Sequence, residues 1–140
     1  MSLAEEFAVR YAGLRQAYGT FTANNETRED GKASGKNITI SKELSDNDLL
    51  KLWEDHLSGH QSVGLVAIDE NNSCVWGAID VDEYDIDLKD LAIKVAKQKL
   101  PLILCRSKSG GAHIYIFLTE PVSASMLQRK LRQIAAAIGY

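Results

Sequence analysis

The chain has 140 residues, 45% hydrophobic and 25% charged, with a formal net charge of -3, the profile of one ordinary globular domain large enough to bury a core. No apolar run approaches the roughly 20 residues that a membrane span needs, and no signal peptide opens the chain, which excludes membrane roles and reads as cytoplasmic. Cys74 and Cys105 both sit inside apolar, strand-like runs, so the expectation is two buried, reduced thiols and no disulfide.

In chain order, Leu3, Phe7, Tyr11, Leu14 and Tyr18 recur at helical spacing and predict a helix over 3–18. Residues 19–37 are polar and glycine-containing and read as a loop, followed by a short strand at Ile38–Ile40. Ser45 with Asp48 three residues later forms a capping-box signature, and Leu49, Leu50, Leu52, Trp53 and Leu57 give the following helix its buried stripe until Gly59. Strands are predicted at 63–68 and 74–82, a helix from about Asp87 to Lys99 stopped by Pro101, and strands at 102–106 and 112–118 around a tight loop. Pro121 and Ser123 open a last helix that runs to Ile138 and stops at Gly139.

From Cys74 onward the order is strand, helix, strand, strand, helix. That is an RRM-like split βαβ unit lacking only its final strand, within an α+β chain. The expected division is a small N-terminal α/β module over 1–62, packed against the RRM-like unit over 63–140.

Charge is unevenly placed. Between Asp69 and Asp90 stand eight acids against Lys89 alone; from Leu91 to Tyr140 stand eight bases against Glu120 alone. Such a split lets an acidic metal site sit beside a basic, phosphate-attracting surface, although each charge taken singly suits a solvated helix face.

Strand alternation sorts the candidate chemistry. Val75, Gly77, Ile79 and Val81 share one face with Ile114, Ile116 and Leu118, the set that belongs under helices. The other face collects Trp76, Asp80, Asp82, His113, Tyr115 and Phe117. Two carboxylates two residues apart on a strand project side by side, and hard oxygens of this kind suit Mg²⁺ or Mn²⁺. An Asp-x-Asp also suits the exposed end of a strand, and both readings stay open. The segment Arg106-Ser-Lys-Ser-Gly-Gly-Ala-His113 is more specific: Gly110 and Gly111 let backbone N–H groups approach a phosphate, while Arg106, Lys108, Ser109 and His113 add positive or donor groups. The plainer reading is a glycine hairpin with solubilising bases. His56 and His60 carry no such context.

Ala78-Ile-Asp-Val-Asp82 resembles the first motif of the archaeo-eukaryotic primase (AEP) superfamily, a hydrophobic strand ending in Asp-x-Asp. Ser109-Gly-Gly-Ala-His113 resembles its second motif, a small residue, any residue, then histidine. The longer run from Pro101 to Leu118 is similar to the primase-polymerase branch of phages, mobile elements and conflict systems. Arg28-Glu-Asp-Gly-Lys32 and His56-Leu-Ser-Gly59 sit where that branch carries basic and glycine positions.

The resemblance implies a DNA primase-polymerase, a nucleotidyltransferase active in DNA replication. Asp80 and Asp82 would hold catalytic Mg²⁺ or Mn²⁺. His113 would contact the triphosphate with Arg106, Lys108, Ser109, Gly110 and Gly111. The implied partners are a DNA template, NTP or dNTP, and a helicase domain or subunit. The family's third motif, a carboxylate on a strand after the last helix, has no counterpart before Tyr140, so the sequence reads as a core cut short of a complete site. Two other readings compete. One is a non-catalytic nucleic-acid or nucleotide-binding RRM-like module that stacks bases on Trp76, Tyr115 and Phe117. The other is a metal-dependent nuclease or replication initiator, disfavoured because no His-x-His occurs.

Overall fold

The computed structural model describes residues 1–140 and contains four helices and two small antiparallel sheets, an α+β chain. It divides into two compact units, Met1–Asn71 and Asn72–Tyr140, so residues 63–71, read in the sequence as the start of the second part, belong to the first unit.

In the first unit, helix α1 (Leu3–Arg10) opens on a reciprocal capping box between Ser2 and Glu5. The helix expected through Tyr18 instead ends at its cap, Tyr11. Gly13 explains the stop: a β-carbon there would lie 2.1 Å from the Val66 carbonyl oxygen, and the Leu14 N–H donates to that same oxygen at 2.9 Å. The backbone polar groups after Tyr11 are therefore satisfied across the chain, not up a helix. Leu14 and Tyr18 continue the apolar period without continuing the coil.

The predicted loop over 19–37 is a β-hairpin. Strands β1 (Ala17–Thr27) and β2 (Ala33–Ser41) pair antiparallel from Ala17↔Ser41 to Ala23↔Gly35, then again at Thr27↔Ala33 after an irregularity. The short strand at Ile38–Ile40 is thus the inner part of a longer one. The turn is closed by the Arg28 N–H donating to Lys32 O at 2.8 Å, with Gly31 at φ 78°. Conversely, the strand predicted at 63–68 joins no ladder. It makes a single bridge, Gly64 with Gly19, and leaves Val66 and Ile68 exposed.

Helix α2 (Asp46–Leu57) begins as predicted. Ser45 Oγ accepts from the Asp48 N–H at 3.1 Å, and an Asp48 carboxylate oxygen accepts from the Ser45 N–H at 3.0 Å. That backbone bond from Ser45, together with the Lys42 ammonium 3.0 Å away, lowers the Asp48 carboxyl from 3.8 to about 2. Leu49, Leu52 and Trp53 turn inward and join Ala4 and Leu44, with Phe7, Tyr11 and Tyr18 packed around them. Phe7 meets the Trp53 ring edge-on at 5.0 Å.

The second unit runs β3 (Ser73–Val81), α3 (Leu88–Lys97), β4 (Leu102–Arg106), β5 (Ala112–Ser123) and α4 (Ala124–Ile138). Its three strands form an antiparallel sheet in the order β3-β5-β4. Asp87 caps α3 by accepting from the Lys89 and Asp90 N–H groups, and Ser123 caps α4. Pro121, expected to help open α4, lies instead in the last residues of β5. The helices bury one sheet face: Val81, Ala112 and Ile114 pack with Leu91, Val95 and Ile138, backed by Ile79, Leu102 and Leu104. This unit owns its core, as the first unit owns the Trp53 cluster.

Candidate active site

The β3–β5 register decides what shares the sheet face opposite α3 and α4. Asp80 lies opposite His113, Ala78 opposite Tyr115 and Trp76 opposite Phe117, while Ile79↔Ile114 and Gly77↔Ile116 occupy the helix side. The alternation read from the sequence therefore holds from Trp76 to Val81 and from Ala112 to Phe117, while the register shifts between Cys74 and Trp76. Strand β3 ends at Val81, leaving Asp82 one residue past it and exposed.

The facing pair is in contact. A His113 ring nitrogen, Nε2, lies 3.2 Å from Asp80 Oδ1. The Asp80 side chain is 70% exposed and that of His113 39%, so the pair contributes at most about 1 kcal/mol and a ligand can displace it. On the other side of the ring, the Tyr115 hydroxyl is 3.4 Å from His113 Nδ1, and the two rings meet edge-on at 5.9 Å. Tyr115 stacks on Phe117 at 6.0 Å and leans on Trp76 at 6.5 Å. Burial raises the Tyr115 phenol, and the neighbouring Cys105 and Asp80 add to the effect. Trp76, Tyr115 and Phe117, the base-stacking set of the alternative reading, are partly buried.

The loop from Ser107 to Gly111 stands beside this pair. Gly111 is the reason: a β-carbon there would lie 2.2 Å from the Val81 carbonyl oxygen, so only glycine lets the β4–β5 hairpin lie against the end of β3. Gly110 takes φ 95°. Two of the loop's N–H groups close the turn itself, Ser107 donating to Gly111 O at 2.9 Å and Gly110 to Ser107 O at 3.3 Å. The phosphate cradle expected of this backbone is to that extent already used. Lys108, Ser109 and Gly110 are exposed.

Arg106 is not brought together with the others. It pairs with Ala112, whereas its neighbour Cys105 pairs with His113, so Arg106 leaves the sheet on the opposite face from His113. Cys105, expected to be buried, is only partly so, and it sits in line with His113 and Asp80 across the three strands. Sequence reasoning missed this neighbour because a cysteine in an apolar run signals burial. The Tyr115 hydroxyl was likewise assigned to stacking, although its two-residue offset from His113 placed it on the same face. Both cysteines are free, as expected.

Among the described residues, no three His, Cys, Asp or Glu side chains gather into a closed metal cage. Asp80 and Asp82 nonetheless suit a Mg²⁺ or Mn²⁺ ion. Their donors are hard and exposed, and ions of this kind are commonly held by one or two carboxylates, with waters and substrate phosphates completing the shell.

An Asp-x-Asp strand and a small-x-His strand that meet across one sheet are what the two primase motifs resemble, and comparison with known families agrees. The archaeo-eukaryotic primase domain of the TOTE conflict system matches residues 4–138. The chain therefore belongs to this primase-like nucleotidyltransferase family, within the branch found in conflict systems. A search of curated proteins finds no match. No helix is long and apolar enough to cross a membrane.

Proposed function

We propose that this chain is the catalytic module of a DNA primase-polymerase, joining nucleotides on a DNA template, and that its RRM-like second unit carries the nucleotide site. The observation that carries the reading is the Asp80–His113 contact at 3.2 Å between neighbouring strands, beside a glycine hairpin bearing Lys108 and Ser109. Mg²⁺ or Mn²⁺ held by Asp80 and Asp82 would supply charge neutralisation at the triphosphate and activation of the attacking hydroxyl. The chain's own groups bind and orient: His113 donates to a phosphate oxygen, Lys108 adds positive charge, and Ser109 adds a hydroxyl donor. DNA, NTP or dNTP and a helicase domain or subunit are the corresponding partners.

Isothermal titration tests the site. Wild type binds a nucleoside triphosphate with Mn²⁺ present and far more weakly without it, and the Asp80→Ala/Asp82→Ala double variant loses the metal-dependent part. Equal affinity in all three cases removes the assignment.

The base-stacking reading keeps one observation in its favour, the partly exposed ladder of Trp76, Tyr115 and Phe117. Single-stranded nucleic acid that quenches Trp76 equally in wild type and in the double aspartate variant favours that module over a polymerase.

A further inference from the structure

His113 is engaged at both ring nitrogens, by Asp80 Oδ1 at 3.2 Å and by the Tyr115 hydroxyl at 3.4 Å. A carboxylate only accepts, so Nε2 carries the hydrogen that faces Asp80; in the neutral ring Nδ1 is then an acceptor, and the phenol donates to it. The roles assigned above create a conflict at this point. Asp80 is needed for the cation, and the Nε2–H is needed for a phosphate oxygen, yet in the structure the two groups satisfy each other. Loading the site therefore means exchanging this contact for two new ones. Between the release of Asp80 and the arrival of a phosphate oxygen, the Tyr115 hydroxyl on the far side of the ring is the contact that persists.

We propose that Tyr115 is a positioning residue for His113: its hydroxyl holds Nδ1 so that the Nε2–H stays aimed out of the sheet when Asp80 is released. This rests on the reading that His113 meets nucleotide phosphate. The phenol is well placed for the task. Its ring stacks on Phe117 and leans on Trp76 on the side away from His113, and it meets the imidazole edge-on at 5.9 Å, which gives the hydroxyl a defined position relative to Nδ1. A phenol is protonated at neutral pH and therefore able to donate.

The experiment separates this role from the function itself. In uniformly ¹⁵N-labelled Asp80→Ala protein, where the carboxylate is absent as it would be after release, long-range ¹⁵N spectra at a pH where the ring is neutral should show His113 in one Nε2–H tautomer. Adding Tyr115→Phe, which keeps the aromatic packing, should move both ring nitrogens toward the averaged values of a free histidyl peptide. Ring shifts unchanged by loss of the hydroxyl overturn the proposal, and this readout needs neither metal nor nucleotide.

The second arm is a double-mutant cycle on Mn²⁺-nucleotide affinity. Tyr115→Phe alone should weaken binding about fivefold, the worth of one hydrogen bond, and should have no effect in a His113→Ala background. A Tyr115→Phe loss that persists without His113 means the phenol acts by another route and overturns the proposal. If wild type binds no nucleotide, the polymerase reading fails, while the tautomer measurement still decides the role of Tyr115.

Discussion

Asp48 illustrates how a single side chain can hold the start of an element. Its carboxylate accepts from the Ser45 N–H and hydroxyl and faces the Lys42 ammonium, and each contact favours the charged form. The folded carboxyl titrates at about 2 against an ordinary 3.8, so its contribution is complete above 3.8 and is lost as the pH falls through about 2. Carboxyl-carbon NMR should find Asp48 titrating well below the ordinary carboxylate value of 3.8, and loosening of the first turn of α2 should follow the same curve. Asp48→Asn should remove that dependence. A carboxyl titrating at the ordinary value would show that the capping box is not formed in solution. This box was legible in the sequence because it needs only two residues at fixed spacing. Asp80 and His113 were legible for a related reason: strand alternation fixes a face, and their motifs lie on strands that pair directly. Arg106 was not, because one step of register sends a side chain to the other side and sequence spacing alone does not give register.

At the scale of elements, the close approach of the β4–β5 hairpin to the end of β3 is the most demanding contact near the site. Gly111→Ala places a methyl group 2.2 Å from the Val81 carbonyl oxygen, and a backbone atom cannot swing aside as a flexible side chain can. We expect a loss of about 1–3 kcal/mol in denaturant unfolding and a weakened Mn²⁺-nucleotide affinity as the hairpin shifts from Asp80. Unchanged affinity would show that the hairpin's position does not matter to binding. The elements that sequence reasoning missed are those whose bonds are made far along the chain. The α1 pattern overran because Leu14 and Tyr18 kept the helical period after Gly13 had turned the backbone toward Val66. The β1–β2 hairpin hid in polar residues, since a ribbon with most of its side chains exposed shows no apolar alternation. Residues 63–68 misled in the opposite sense, being apolar enough for a strand yet bridged to β1 at Gly64 alone.

At the scale of the molecule, each unit buries its own cluster, around Trp53 in the first and around Ile114 in the second. Leu52→Ala should cost the first unit about 3 kcal/mol, read as faster amide exchange in α2, with β5 exchange unchanged. Ile114→Ala should do the reverse. Uniform acceleration across both units from either change would mean that the two clusters unfold as one. Asp80, Asp82, His113, Tyr115 and the glycine hairpin all lie in residues 72–140, and so do the side chains that anchor them. A lineage that altered the first unit's ribbon and tryptophan nest would leave the make-up of the Ile114 cluster behind Asp80 and His113 as it is. Variation in the two halves would then accumulate at different tempos.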